Sequence, residues 1–209
     1  MMPSAATDRR EREKLAIRTK ILDAARELFA EQGYEAVTMR QIAERIEYTP
    51  TAIYYHFKDK DALIRELCDV DYGALAIEFQ KIATVANPID RMKGMGRAYA
   101  RFAIEFPHHY RLMFMTPHPP DMSPLEKRGK PDQDAYAFLT WTVGQAVAAG
   151  QVRPEYQDVE LASQTIWAAM HGLITLQIAK GGDPWVDWRP YEQRVEAMLD
   201  LVLHGILNG

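Results

Sequence analysis

The chain has 209 residues, 47% of them hydrophobic and 26% charged, which is enough apolar material for a sizeable core and a length that suits one or two domains. Its 25 basic and 29 acidic residues leave a net charge of −4, so any affinity for nucleic acid has to come from local positive charge. One cysteine, Cys68, excludes an intrachain disulfide, the N-terminus MMPSAATDRREREKLAIR lacks the apolar core of a signal peptide, and Ile166 to Ala179, the most apolar stretch, is broken by His171 and Gln177 and falls short of the ~20 residues of a membrane span; a cytoplasmic protein without membrane contact is expected.

Helical periodicity dominates and no convincing alternating strand is present, so the predicted fold is all-α with about nine helices. Residues 1–10 are expected to form a disordered, charged arm. A helix follows from Glu11 to Glu31, with Ile21, Leu22, Ala25, Leu28 and Phe29 on one stripe, and Gly33 just past its end. Thr38-Met39-Arg40-Gln41 is a capping box that opens a short helix to Ile46. After Glu47-Tyr48-Thr49, a second short helix starts at Pro50, capped by Thr49, and runs to about Phe57. Longer helices are predicted over Lys60–Val85, Pro88–Glu105, Asp132–Ala149, Glu155–Lys180 and Pro190–Leu207, with a short one at Pro107–Phe114 and a loop over residues 116–131, rich in proline and charge. Two divisions of the chain are expected after the arm, residues 11–59 and residues 60–209.

Two short helices joined by a three-residue turn make a helix-turn-helix pattern, whose second helix enters the major groove of DNA. The start of that helix is small, with Thr49, Pro50, Thr51 and Ala52, and threonine offers a hydroxyl to a phosphate or base edge and a methyl to thymine. Tyr54, Tyr55 and His56 are long enough to reach phosphates, and Ile42, Ala43, Ile46, Ile53 and Phe57 would pack the pair onto the first helix. Thr38, Arg40 and Lys60 flank the motif and complete the expected DNA-binding set. Local basic residues include Arg9, Arg10, Arg12, Lys14, Arg18 and Lys20.

The run from Thr38 to Leu63, with Thr38, Ile42, Ala43, Tyr54, His56, Phe57, Lys60 and Leu63, resembles the DNA-binding domain of the TetR family of transcriptional repressors; Ile21, Ala24, Ala25, Leu28, Phe29, Gly33 and Tyr34 also stand at family positions. Further on, Trp167 to Gly172 and Phe106 to Phe114 resemble segments of one subgroup's C-terminal domain. The chain departs from the pattern at Glu47, where the family usually has glycine; a side chain held at positive φ there costs about 1 kcal/mol. The resemblance implies a homodimer that binds a palindromic operator in double-stranded DNA and is released from it by a small, mainly apolar effector.

Met95, Tyr99, Phe102, Met113, Phe114, Phe138, Trp141, Trp167, Met170 and His171 are the expected effector-binding residues, an aromatic and methionine supply that also serves plain core packing. His171 fits a buried or interface histidine equally well. Met198, Leu201 and Val202 are the expected dimer contacts on the last helix, whose apolar stripe of Val195, Met198, Leu199, Val202 and Ile206 is broadened by Leu201, Leu203 and Gly205. Glu105, His108 and His109 share metal-ligand spacing, but Pro107 interrupts their helix, and no metal or other cofactor is expected. Signatures of common enzyme classes are missing, so no catalytic activity is expected. Two alternatives stay open from sequence: a dimeric DNA-binding protein without a small-molecule effector, and a helical enzyme that carries the motif as structure.

Overall fold

In the computed structural model, which describes residues 5–117 and 127–208, nearly all regular structure is helical. The helices are α1 (Ala5–Gln32), α2 (Met39–Arg45), α3 (Pro50–His56), α4 (Lys60–Gln80), α5 (Pro88–Glu105), α6 (Pro107–Phe114), α7 (Ala135–Ala148), α8 (Val159–Lys180) and α9 (Tyr191–Ile206). Val152 and Leu207 make a single antiparallel bridge. No helix among the described residues is long and apolar enough to cross a membrane.

Where boundaries differ from expectation, a local signal accounts for the shift. α1 begins at Ala5, six residues before Glu11, and so takes in residues 5–10 of the predicted arm; Arg9 pairs with Glu13 at 2.8 Å, one helical turn on. α4 ends at Gln80, where Ile82, Ala83 and Val85 tighten into three-residue turns. α7 starts at Ala135 because Asp134 accepts from the N–H groups of Tyr136 and Ala137. Likewise Asp158 caps α8 by accepting from Glu160 and Leu161, and Pro154–Tyr156 forms only a short 3-10 turn before it. Of the loop expected over residues 116–131, residues 118–126 lie outside those described.

The described residues divide into two compact units, one of residues up to 71 with 108–117 and the other of residues 72–107 with 127–208. The division falls inside α4. In the first unit, Ile21, Ala25 and Phe29 of α1, Ile42 and Ala43 of α2, Ile53 of α3 and Leu63, Ile64 and Leu67 of α4 form the core. Asp71 is fully buried and is chelated by Arg26, with Nε 3.1 Å from both carboxylate oxygens and an Nη 2.9 Å from one. His109 Nδ1 lies 3.0 Å from the same carboxylate. Burial, followed by the charge of Asp71, pushes the Cys68 thiol up to about 12, which leaves it an unreactive apolar filler.

In the second unit α5 packs against α7, α8 and α9, and α8 packs against α7 and α9. Gly96 on α5 lies so close to Leu199 that a side chain there would collide with it, and this sets the α5–α9 approach. Rim ion pairs, Arg97–Glu196 at 2.6 Å and Lys93–Asp200 at 3.1 Å, flank the crossing.

Candidate nucleic-acid interface

α2 and α3 have seven residues each, too few to hold a helix by propensity alone. Side-chain caps supply what length does not. The Thr38 hydroxyl accepts from Gln41 N–H at 3.2 Å while the Thr38 N–H donates to Gln41 Oε1 at 2.7 Å, and Thr49 accepts from Ala52 N–H at 3.3 Å. Between the helices Glu47 adopts φ 60, the one non-glycine residue at positive φ among those described. Glu47 N–H donates to Glu44 O at 3.2 Å and Tyr48 N–H to Ala43 O at 2.9 Å, which is the paired closure that usually places glycine at the left-handed position. The turn therefore keeps its ordinary shape and stores strain at Glu47.

The buried side of the motif is Met39, Ile42, Ala43, Ile53 and Phe57. Its opposite side exposes Thr38, Arg40, Thr49, Pro50, Thr51, Tyr54 and Tyr55, the last 77% exposed. Arg40 pairs with Glu44 at 2.8 Å on that surface. The first turn of α3 carries no acidic side chain, and Thr49, Pro50 and Thr51 leave backbone close to the surface.

Two expected members of the set, Lys60 and His56, are less exposed than the rest. The Lys60 ammonium donates to the Tyr34 and Val37 carbonyls at 2.8 and 3.0 Å and sits 4.2 Å over the Tyr34 ring. It thereby closes the loop before α2. His56 is half-buried, its Nδ1 has no hydrogen-bond partner, and burial, then Arg18 and Lys14, hold its pKa below the usual value, so the ring is neutral at pH 7.

The sequence marks Arg18 only as one of six basic residues near the N-terminus. Its Nη1 donates to the His56 carbonyl at 2.7 Å, its Nε to Glu66 at 2.6 Å, and its guanidinium lies 4.2 Å over the Phe57 ring. It fastens the end of α3 to α1 and α4. Its place four residues before Leu22 on the packed side of α1 was the available signal.

Of the expected effector-binding residues, Met113 and Phe114 belong to the first unit and the other eight to the second. In the second unit Trp167 Nε1 donates to Tyr99 Oη at 3.1 Å, Tyr99 Oη lies 3.3 Å from His171 Nδ1, and His171 Nε2 lies 3.3 Å from Thr175 Oγ1. Burial holds the His171 pKa below its ordinary value. Met95, Phe102, Phe138 and Met170 are buried, and Trp141 stacks on Phe138 with ring centroids 5.5 Å apart.

The last two helices each expose apolar residues. On α9, Val195, Leu199, Leu203 and Ile206 turn into the unit, so Leu203 lies with the core, whereas Leu201 is 72% exposed beside half-buried Met198 and Val202. On α8, Leu161, Ala168, Gly172 and Leu176 are exposed at helical spacing.

The model of the TetR family of bacterial regulatory proteins matches residues 21–67, and that of a tetracycline-repressor-like C-terminal domain matches residues 92–202. A relative, the HTH-type transcriptional repressor Rv1474c of Mycobacterium tuberculosis, is 30% identical over 198 residues, 91% of this chain and 93% of the relative. Two solved structures share the fold. A TetR family transcription regulator from Marinobacter aquaeolei has a TM-score of 0.73 at 15% identity, covering 97% of this chain and 100% of its own. The ketosteroid transcriptional regulator KstR2 of M. tuberculosis has a TM-score of 0.64 at 22% identity, covering 92% and 95%.

Proposed function

The chain belongs to the TetR family of bacterial regulatory proteins, which are DNA-binding transcriptional regulators, and we propose on that premise that it is a dimeric repressor which a small, mainly apolar ligand releases from a palindromic operator. The observation that carries the DNA-binding half is the exposed side of α3. Thr49, Thr51, Tyr54 and Tyr55 project from a helix whose other side, Ile53 and Phe57, is anchored in the core. Thr51 and Tyr55 read base edges, Thr38, Arg40, Thr49 and Tyr54 contact phosphates, and Pro50 and His56 set how close the helix approaches. Two such helices reach one face of DNA when they stand about 34–36 Å apart, one helical turn. The exposed apolar faces of α8 and α9 supply the dimer contact, with Met198, Leu201 and Val202 at its centre. The second unit holds the ligand among Met95, Tyr99, Phe102, Phe138, Trp141, Trp167, Met170 and His171. A ligand that favours a wider spacing of the recognition helices lowers operator affinity by roughly 5- to 150-fold, a coupling of ~1–3 kcal/mol.

Selection of binding fragments from random DNA, followed by sequencing, tests this. It should return an inverted repeat, and Thr51→Ala should relax preference at one or two symmetric positions, each worth about 1–3 kcal/mol. Identical sites for parent and variant at every position would remove Thr51 from base reading, and recovery of a single unrepeated half-site would refute the dimeric operator.

A further inference from the structure

A buried arginine in the second unit has no carboxylate beside it. Arg91 on α5 is 3% exposed. Its Nε donates to Thr142 Oγ1 at 3.2 Å, one Nη to the Val85 carbonyl at 3.0 Å and the other to Gln145 Oε1. All three acceptors are neutral, and no acidic side chain among the described residues pairs with it; burial alone displaces its pKa, downward. Arg26, the buried arginine of the first unit, chelates Asp71 instead. A cation taken out of water without a counter-ion is among the costliest arrangements a protein interior can hold. A guanidinium has five N–H groups in a planar fork, so two remain after the bonds to Thr142, Val85 and Gln145.

The neighbours of Arg91 form an apolar row that ends on this cation. Phe79 and Phe138 have ring centroids 6.3 Å apart, Phe138 and Trp141 5.5 Å, and the Trp141 ring lies 4.3 Å from the guanidinium carbon. Phe79, Phe138 and Arg91 are buried, and Trp141, the ring that lies against the guanidinium, is 39% exposed. A row of rings capped by a fixed guanidinium matches a molecule with an apolar tail and an anionic head, because a carboxylate or phosphate accepts two parallel N–H bonds from one fork.

We propose that Arg91 anchors the anionic head group, carboxylate or phosphate, of an amphiphilic effector whose tail lies along Phe79, Phe138 and Trp141. This rests on the ligand-responsive repression argued above and narrows its effector from apolar to anionic and amphiphilic. Thr142, Gln145 and the Val85 carbonyl hold the fork in place until the head group arrives.

The test uses the full-length protein and three probes with the same tail, dodecanoate, dodecyl phosphate and dodecan-1-ol, below their aggregation thresholds. Binding is followed by tryptophan fluorescence and by the melting temperature, and operator release by fluorescence anisotropy of labelled DNA. At least one anionic probe should bind about 10- to 100-fold more tightly than the alcohol, the effect of a charge-assisted pair. The tighter of the two anions identifies the head group. Arg91→Met should bind all three alike, and Arg91→Lys should keep part of the preference. A purely structural strut would instead lower the melting temperature of Arg91→Met and leave the preference intact, which overturns the proposal. So does equal binding of acid and alcohol by the parent protein, or failure of all three to bind. Failure of the underlying reading looks different: an anionic probe binds through Arg91, and the operator complex survives its saturation. Should Arg91→Met not fold, Arg91→Gln and Arg91→Lys carry the same comparison.

Discussion

The two surfaces assigned to macromolecular partners are built in opposite ways. α2 and α3, seven residues each, are fixed by side-chain caps, a closed turn and a shared apolar row, and they present hydroxyls and phenols outward. α8 and α9, with 22 and 16 residues, need no such fixing and present Leu161, Leu176 and Leu201 outward. A surface that meets DNA must hold its shape before the partner arrives, since misplacing a base-reading side chain forfeits the contact. A surface that meets a copy of itself can leave leucines in water, because the cost is recovered once the two faces join.

The largest expected effect tests the second surface. Leu201→Asp changes a side chain that is 72% exposed in one chain, so the subunit keeps its fold, but the charge becomes buried on association. Light scattering should find monomers, and operator affinity should fall by about 10²- to 10⁴-fold, the gain that linking two half-site contacts provides. A variant that remains dimeric would move the interface off α9.

Next in size is the ion cluster of the first unit. Arg26→Met leaves Asp71, fully buried, without its guanidinium partner and with only the His109 ring 3.0 Å away, and should cost about 3–5 kcal/mol in denaturant unfolding. Adding Asp71→Leu to that variant should recover much of the loss, since an apolar pair of similar volume removes the stranded charge. If the double variant is no more stable than Arg26→Met alone, the charge is not what destabilises it.

Lys60 separates two explanations of one residue. If its ammonium serves the Tyr34 and Val37 carbonyls, Lys60→Met should lower stability by about 2 kcal/mol, as for a hydrogen bond to a charged group. The salt dependence of DNA binding should then stay as it is. A phosphate contact predicts the reverse, little loss of stability and a salt slope lower by about one unit.

How much of this was legible in the sequence follows from the range of the interactions. The caps Thr38 and Thr49, the turn at Glu47 and the buried row of α2 and α3 each depend on residues within about one or two turns, so adjacent letters disclose them. The same holds for Gly33, which reaches φ 82 with its N–H on Phe29 O, where the end of α1 was expected. The partners of Lys60 and Arg18 are not legible locally, because they stand 26 and 23 residues away, and 48 and 38 away. Nothing local distinguishes a lysine that caps a distant loop from one that faces phosphate. Arg91 is the same case in the second unit: its acceptors Thr142 and Gln145 come from another helix 51 and 54 residues on. The expected effector-binding set rests on residue type and on the family resemblance, and neither tells which of its ten side chains share a unit.

The smallest effect concerns the one place where the DNA-binding surface breaks its own local rule. Glu47 sits at φ 60, where an L side chain crowds the following carbonyl oxygen at a cost of about 1–2 kcal/mol. The pair of bonds from Glu47 and Tyr48 to Glu44 and Ala43 shows that the turn is otherwise well formed, so the strain is confined to that Cβ. Glu47→Gly removes it, and part of the gain is lost because glycine has more freedom in the unfolded chain. The net result should be a stabilisation of about 0.5–1 kcal/mol, read as a higher urea midpoint with an unchanged slope. Glu47→Ala keeps the Cβ and should give no gain, and Glu47→Asn, which tolerates this conformation better, should fall between the two. Operator specificity should not change, because the backbone already has the shape glycine would adopt. A destabilised Glu47→Gly would mean that the glutamate side chain makes a contribution larger than the strain, and a shifted base preference would mean that the turn is not in its relaxed geometry.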